Sequence, residues 1–259
     1  MDGIFSIWDA YLLGASTLVG LMVGSFLNVV ICRLPMGQSV VRPGSHCPLC
    51  NTPVRWYDNV PVLAWLWLGG KCRACKVPIS IEYPLVELAN GVLWGLLAWR
   101  FGLSPQTFVY MVLASALLTG AMIDLHHQIL PDRITLPGIV LGLIASATLL
   151  PQGILPSVIG ALAGGGLFFL IAVLSRGGMG GGDIKLIAMI GAFLGWQSVL
   201  LTVFLAAVVG GTVGALLMLI AGKGRKHAVP FGPFLSAGAI FCMLWGPEVI
   251  DWYMGLSQP

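Results

Sequence analysis

The chain has 259 residues, of which 58% are hydrophobic and only 9% are charged. A soluble domain carries about 25% charged residues, so this composition excludes an ordinary soluble protein and indicates one that faces lipid. The formal net charge of +3 is too small to favour nucleic acid as a partner. We therefore predict an all-α polytopic membrane protein whose surroundings are the lipid bilayer.

Eight apolar segments are candidates for membrane-spanning helices, each of which needs about 20 mostly apolar residues. The first segment is accompanied by Asp2 and Asp9 instead of a basic region, and no small-residue cleavage site follows it, so we expect it to be retained. The weakest segment is 184–197, which we expect to merge with its neighbour or to lie against it. The predicted spans are 10–32, 84–101, 106–123, 134–150, 157–175, 184–197, 199–221 and 231–247.

Lys and Arg residues predict the orientation, because they accumulate in cytoplasmic loops. If the N-terminus lies outside, 12 of the 13 basic residues fall in cytoplasmic loops and only Arg100 lies outside. The bias predicts an even number of crossings and periplasmic termini. The four loops on the cytoplasmic side are 33–83, 124–133, 176–185 and 222–230.

Two Cys-x2-Cys pairs, Cys47/Cys50 and Cys72/Cys75, lie in the loop 33–83. A two-residue gap lets both thiolates of a pair reach one tetrahedral ion, and a second pair completes a structural zinc site. Two disulfides are the alternative, but a cytoplasmic loop is kept reduced. We predict a small zinc-binding cytoplasmic domain whose folding depends on the metal.

Two scarce acidic residues, Asp124 and Asp183, lie at ends of apolar segments on the same predicted membrane face. Ionisable groups in or near a membrane are costly and are functional candidates. If the two carboxylates converge, one can deprotonate a water while the protonated partner polarises a carbonyl. The Gly-rich stretch Gly177–Gly182 before Asp183 reads as a loop that permits close approach of the backbone. A helix cap for Asp183 and a salt bridge for Asp124 are the structural alternatives.

Other polar groups have weaker patterns. Glu82, Glu87 and Asn90 lie at the mouth of the second span, where they either contact a cofactor or a basic peptide, or cap the helix and extend to the membrane surface. Cys32 and Cys242 lie in apolar spans and are interpreted as small hydrophobic residues. We find no clear internal repeat and no Gly-x-Gly-x-x-Gly turn after a strand.

These motifs together resemble those of the bacterial prepilin peptidases, which are membrane aspartic proteases with a Gly-x-Gly-Asp signature. The resemblance extends from about residue 24 to 235. The matching segments are Gly24-Ser25-Phe26-Leu27-Asn28-Val29-Val30, Arg33-Leu34-Pro35, the paired cysteines, Tyr83-Pro84-Leu85-Val86-Glu87, Asp124-Leu125, Leu130-Pro131-Asp132, Gly180-Gly181-Gly182-Asp183 and Pro230-Phe231-Gly232-Pro233-Phe234.

The resemblance implies a bifunctional enzyme of the bacterial inner membrane. It would cleave the leader of type IV prepilins or type II secretion pseudopilins at the cytoplasmic face, and would N-methylate the new N-terminal residue with S-adenosylmethionine. Asp124 and Asp183 would be catalytic. Asp132 is assigned to a helix cap, and His126 and His127 to a loop without a catalytic role.

By this interpretation the chain consists of a first span (1–32), a four-Cys zinc module associated with methyl transfer (33–83) and a transmembrane aspartic peptidase domain (84–259). A transporter with broken helices is an alternative, although it predicts charges near mid-span. A membrane scaffold with a zinc docking module, and a peptidase of the presenilin type, are the others. The scaffold leaves Asp183 unexplained, and the cysteines argue against the presenilin type.

Overall fold

A computed structural model describes residues 7–175, 179–221 and 230–256. The all-α prediction is confirmed, since this part of the chain is helical and contains no β-strand. The elements are α1 (Ile7–Arg33), a 3-10 turn (Trp56–Asn59), α2 (Leu63–Trp67), α3 (Glu82–Phe101), α4 (Pro105–His127), α5 (Asp132–Thr148), α6 (Ile154–Leu174), α7 (Gly181–Ala221) and α8 (Gly232–Leu256). Arg176, Lys223, Arg225 and Lys226, which helped to predict the orientation, and Gly177 and Gly178 of the Gly-rich stretch lie outside the described residues.

Five described helices, α1, α4, α6, α7 and α8, are long and apolar enough to cross a membrane. The polytopic membrane class is therefore supported, while the number of crossings stays a prediction. The helices α3 and α5 match two other predicted spans in position. Helix α3 contains Glu82, Glu87 and Arg100, and α5 has only 17 residues, so both are less apolar or shorter than the five.

Close antiparallel packing joins α3 to α1. A Cβ atom on Gly24 would lie 2.7 Å from the Glu87 Cα, and one on Gly20 would lie 2.9 Å from the Gly91 Cα. Near the other end of the pair, the Asn28 side-chain amide donates a hydrogen bond of 3.0 Å to the Tyr83 carbonyl. Small residues allow this approach, as is typical of helix pairs in membranes. Because α3 follows α1 along its length, we expect α3 to cross the membrane wherever α1 does.

The packing divides the chain into two units, residues 1–119 and 120–259, and α4 contributes to both. The first unit contains α1, the cysteine-bearing segment, α2 and α3. The second contains the end of α4 and helices α5 to α8. The functional division at residues 33 and 83 stays a prediction.

Helix α7 is interrupted at Gly195, whose φ of 79° and ψ of 173° are not helical. Ile187 and Val199 would lie about 18 Å apart along a straight helix. A Cβ atom on Gly164 of α6 would nevertheless lie 3.2 Å from Ile187 and 2.9 Å from Val199. The chain therefore reverses at Gly195, so that the predicted spans 184–197 and 199–221 correspond to two helical segments that lie side by side.

The reversal leaves some carbonyl groups without a helical N–H donor. Side chains of the same unit donate hydrogen bonds to them instead. The Ser146 hydroxyl donates to the Ala192 carbonyl at 2.7 Å, and the Gln152 amide donates to the Phe193 carbonyl. Unpaired carbonyl groups are costly in lipid, so these bonds stabilise the turn without an aqueous loop.

Candidate active site and metal centre

Asp124 lies in the last turn of α4 and is only 6% exposed. Its Oδ2 accepts a hydrogen bond of 3.0 Å from the backbone N–H of Gly232, the first residue of α8. A Cβ atom on Gly232 would lie 2.6 Å from that oxygen. The absence of a side chain at residue 232 therefore allows the start of α8 to reach the carboxylate.

Asp183 is the third residue of α7, and the preceding glycine fixes where this helix begins. A Cβ atom on Gly182 would lie 2.8 Å from the Leu130 Cβ and 3.4 Å from the Leu130 backbone nitrogen. Only glycine permits this contact without displacement of the chain. The Gly-rich loop was predicted to extend to residue 182, but Gly181 and Gly182 already belong to the helix.

Asp132 was predicted to cap a helix, and this prediction was wrong. It is the first residue of α5, but the N-terminus of that helix has no side-chain cap. Its Oδ1 instead lies 2.6 Å from the Lys185 Nζ. Together with the contact between Gly182 and Leu130, this ion pair joins the Leu130-Pro131-Asp132 segment to the start of α7 on both sides of Asp183.

The two aspartates are close enough to interact electrostatically. Three segments that are distant in sequence therefore converge at one end of the second unit: the end of α4, the start of α7 and the start of α8. Because like charges repel, one of two interacting carboxylates can keep its proton while the other ionises, and acid–base hydrolysis by an aspartate pair uses both forms.

Sequence reasoning missed two features here. Nothing assigned a role to Gly232, although a glycine directly after Pro230-Phe231 was a signal for close backbone approach. His126 and His127 were assigned to a loop, but both belong to the last turn of α4, where they are exposed. The helix ends at His127, and the next residue, Gln128, has a φ of 53°.

The four cysteines of the first unit form one cluster, with all Sγ atoms within 4.8 Å of one another. The Cys47 and Cys75 sulfurs are 3.7 Å apart, and the Cys50 and Cys72 sulfurs are 4.0 Å apart. A tetrahedral zinc site with Zn–S bonds of about 2.3 Å places its sulfurs about 3.8 Å apart. A disulfide would need about 2.05 Å. The cluster therefore fits a metal ion better than two disulfides.

The two Cys-x2-Cys pairs are structural copies of each other. Cys47 N–H donates to the Thr52 carbonyl at 3.0 Å, and Cys72 N–H donates in the same way to the Val77 carbonyl at 2.8 Å. The residue after each second cysteine has a left-handed backbone, with φ of 54° at Asn51 and 60° at Lys76. Each copy closes with a bridge to a proline, His46 to Pro53 and Lys71 to Pro78. This eight-residue repeat was missed in the sequence.

Two sets of hydrogen bonds involve residues of the cysteine segment and shift the pKa values of their acidic groups. Arg73 donates two hydrogen bonds to the Asp58 carboxylate, at 2.8 and 2.6 Å, and thereby holds the pKa of that carboxyl below its usual range. Hydrogen bonds with the side chain and backbone of Thr52 lower the pKa of the Cys50 thiol to about 6. A thiolate is the form that binds metal.

We expect one zinc ion per chain, and we expect Cys72→Ser to lower the zinc content and to loosen residues 33–83. The reason is that so short a segment has little core of its own, so that metal binding supplies much of its folding free energy. Elemental analysis and limited proteolysis measure both effects, with Cys242→Ser as the matched control. Wild-type protein that contains no zinc and has titratable thiols only at Cys32 and Cys242 would instead indicate two disulfides.

Of the three polar groups at the start of α3, Glu87 and Asn90 are buried, which argues against the alternative that they extend to the membrane surface. Glu87 accepts a hydrogen bond of 2.7 Å from the Val62 N–H. Asn90 is fully buried, donates to the Gly20 carbonyl at 2.7 Å and accepts from the Ser115 hydroxyl at 2.8 Å. Glu82 is exposed at the start of α3.

The two remaining cysteines differ from each other. Cys242 is buried in α8, as expected for a small hydrophobic residue. Cys32 is exposed on α1, and its sulfur lies 3.5 Å from the Tyr83 hydroxyl. Neither residue belongs to the metal cluster.

A polytopic membrane protein that pairs two carboxylates at a helix end with a four-cysteine module has the features of a membrane aspartic peptidase. Comparison with known families agrees with this class. Residues 18–101 match the Bacterial Peptidase A24 N-terminal domain, and residues 111–215 match the Type IV leader peptidase family.

Three relatives named prepilin leader peptidase/N-methyltransferase illustrate the similarity. The Stutzerimonas stutzeri protein is 40% identical over 268 residues, which is 93% of each chain. The Pseudomonas aeruginosa protein is 37% identical over 92% of this chain and 91% of its own length. The Myxococcus xanthus protein is 43% identical over 79% of this chain and 63% of its own length. The chain belongs to the type IV prepilin leader peptidase family. No solved structure matches it.

Proposed function

We propose that this chain cleaves the leader peptide of a prepilin or pseudopilin and then N-methylates the new N-terminal residue. The observation that carries the proposal is the convergence of Asp124 and Asp183 in a chain whose relatives are prepilin leader peptidases/N-methyltransferases. A transporter is not favoured, because the two key aspartates lie at helix ends and the family is one of peptidases.

We infer different roles for the two aspartates from the hydrogen bond to Asp124. Asp124 accepts the backbone N–H of Gly232 at the start of α8, and a hydrogen bond donated to the carboxylate favours its charged form. Asp124 is therefore the ionised partner, which removes a proton from the attacking water. Asp183 has the proton and donates it to the oxygen of the scissile carbonyl.

The reaction then balances without a cofactor. Water oxygen forms a bond to the carbonyl carbon, the water proton moves to Asp124, and the Asp183 proton moves to the carbonyl oxygen. When the C–N bond breaks, Asp124 gives its proton to the leaving amine, and Asp183 regains a proton from the gem-diol. The original protonation states are restored for the next turnover.

The second reaction moves a methyl group from S-adenosylmethionine to the new amine, which releases one proton and the demethylated donor. An open cavity of about 410 Å³ in the first unit is lined by two arginines, whose charge would attract the carboxylate of this donor. Its lining residues are Arg33, Gln38, Ser39, Arg42, Pro43 and His46. Arg33 itself organises the wall, because its guanidinium donates to the carbonyls of Ser39, Pro43 and Gly44. Zinc bound by the nearby cysteines would hold this segment folded.

The proposal is tested by incubation of the purified protein with a prepilin and S-adenosylmethionine. We expect mass spectrometry to find loss of the leader and the added mass of one methyl group on the new N-terminus. Without S-adenosylmethionine, only leader loss is expected. Intact prepilin after incubation with folded, zinc-loaded protein would refute the function.

The asymmetry of basic residues supports a cytoplasmic position for the cysteine cluster and for both aspartates. We expect reporters fused at either terminus to be active only in the periplasm, and a reporter inserted near Cys47 to be active only in the cytoplasm. A reporter after Pro259 that is active only in the cytoplasm would contradict eight crossings and separate the predicted faces of Asp124 and Asp183.

A further inference from the structure

Residues 59–70, between the two cysteine pairs, contain no charged residue and include two tryptophans. An apolar stretch of this length is too short to span a membrane but is typical of an interfacial segment. The segment contains α2, and both faces of this helix are apolar. Ala64 is buried, whereas Leu63, Leu66 and Trp67 are 55%, 60% and 53% exposed. Three large apolar side chains that are exposed on one five-residue helix indicate a surface that does not face water.

The position of α2 along the α1–α3 pair indicates its depth. The Val62 N–H at its start is bonded to the Glu87 side chain, and Glu87 packs against Gly24 of α1. Gly24 lies eight residues before Cys32, the last residue of α1 before the charged Arg33, which corresponds to about 12 Å along the helix. The anchor point of α2 is therefore below the level at which α1 leaves the apolar zone.

The local backbone also suits lipid, because most of its N–H groups have acceptors. Val62 donates to Glu87, the N–H groups of Leu63, Ala64, Leu66, Leu68, Gly69 and Gly70 donate to nearby carbonyls, and the Trp65 indole donates to the Ile79 carbonyl at 3.1 Å. Val62 has a φ of 62° and forms a tight turn with the Leu63 N–H bonded to the Pro61 carbonyl. A β-branched residue rarely adopts this conformation and persists in it only where surrounding contacts impose it. Here the Glu87 bond holds the turn.

We propose that residues 60–68 form an interfacial anchor, in which Leu63, Leu66 and Trp67 insert into the leaflet on the side of the cysteine cluster. The partner is the phospholipid surface. Charge supports this choice, because residues 33–81 contain six basic residues and a single acidic residue, Asp58, which suits anionic headgroups. The anchor goes beyond the proposed function, since it concerns how the segment contacts the membrane and not which bond is cleaved.

The test uses a photoreactive benzophenone amino acid at Leu66 or Trp67 in the full-length, zinc-loaded protein. The protein is reconstituted in vesicles of phosphatidylethanolamine and phosphatidylglycerol and irradiated. Leu49 is the matched control, because it lies on the first cysteine pair and is 72% exposed. We expect at least about fivefold more phospholipid adduct at Leu66 and Trp67 than at Leu49.

Zinc content and thermal unfolding verify that each labelled variant is folded. If the variant labelled at Leu66 or Trp67 is not folded, the photoreactive amino acid is placed at Leu63 instead. Equal phospholipid adducts at all three positions would overturn the proposal. Adducts at Leu66 and Trp67 with another part of the same chain, or with an added prepilin peptide, would also overturn it and identify the real occupant. Because no cleavage is measured, the result is independent of the peptidase assignment.

Discussion

Asp124→Asn and Asp183→Asn are each expected to reduce leader cleavage by about a hundredfold to ten-thousandfold, the range typical of lost acid–base catalysis. The double variant should lose little more, because the two carboxylates act as a unit. Asparagine keeps the size of the side chain, and at residue 124 it keeps an oxygen that can accept the Gly232 N–H. Membrane insertion and zinc content should therefore persist. Cleavage is measured on purified protein with a prepilin substrate.

Asp132→Asn is the matched control for this experiment. Its ion pair with Lys185 is largely exposed, and such pairs contribute little to stability, so we expect a small effect. Methylation of a pilin that has already been cleaved should persist in all three variants if the two reactions use separate sites. Substantial cleavage by either Asp124→Asn or Asp183→Asn would exclude the pair, and Asp132 would become the next candidate.

Gly182→Ala is expected to lower cleavage by about tenfold to a hundredfold, since small displacements of catalytic groups have effects of this size. The added Cβ would lie 2.8 Å from the Leu130 Cβ, which is a rigid part of a buried side chain next to a proline. The start of α7 must then move away from Leu130, and Asp183 moves with it.

Gly181→Ala provides the comparison, because a Cβ atom there has no neighbour within 4 Å. Both changes introduce the same methyl group in the same helical turn, and alanine favours the helix in both. We expect Gly181→Ala to retain nearly full activity. Equal activity of the two folded variants would show that the contact with Leu130 does not position Asp183.

Hydropathy and spacing predicted much of this protein. Helices that face lipid have apolar side chains, so the amino-acid composition of each segment predicts the spans. The two-residue gaps between the cysteines predict their cluster. The position of Asp183 after glycines and the charge asymmetry likewise depend on local sequence. The break at Gly195 was anticipated only as two adjoining spans, one of them weak.

The partners of buried groups could not be predicted in the same way. A helix that is apolar on every side does not indicate which face packs against protein, because the contrast between core and solvent is lost in lipid. The sequence therefore left two roles open for Glu87 and Asn90, contact with a ligand or extension to the membrane surface, and did not predict their bonds to Val62 and Ser115. Gly232 contacts Asp124 although the two residues are 108 positions apart in the sequence. The local sequence around either residue does not predict such a long-range contact.

The reversal at Gly195 has a consequence for how the chain enters the bilayer during synthesis. The turn, Leu194-Gly195-Trp196-Gln197-Ser198, contains no charged residue, and the Ala192 and Phe193 carbonyls just before it are bonded within the protein. The two segments of α7 can therefore insert together as a helical hairpin, without transfer of an ionised group through the hydrocarbon. A Lys at residue 197 would add a transfer cost of about 3 kcal/mol at the deepest point of that passage.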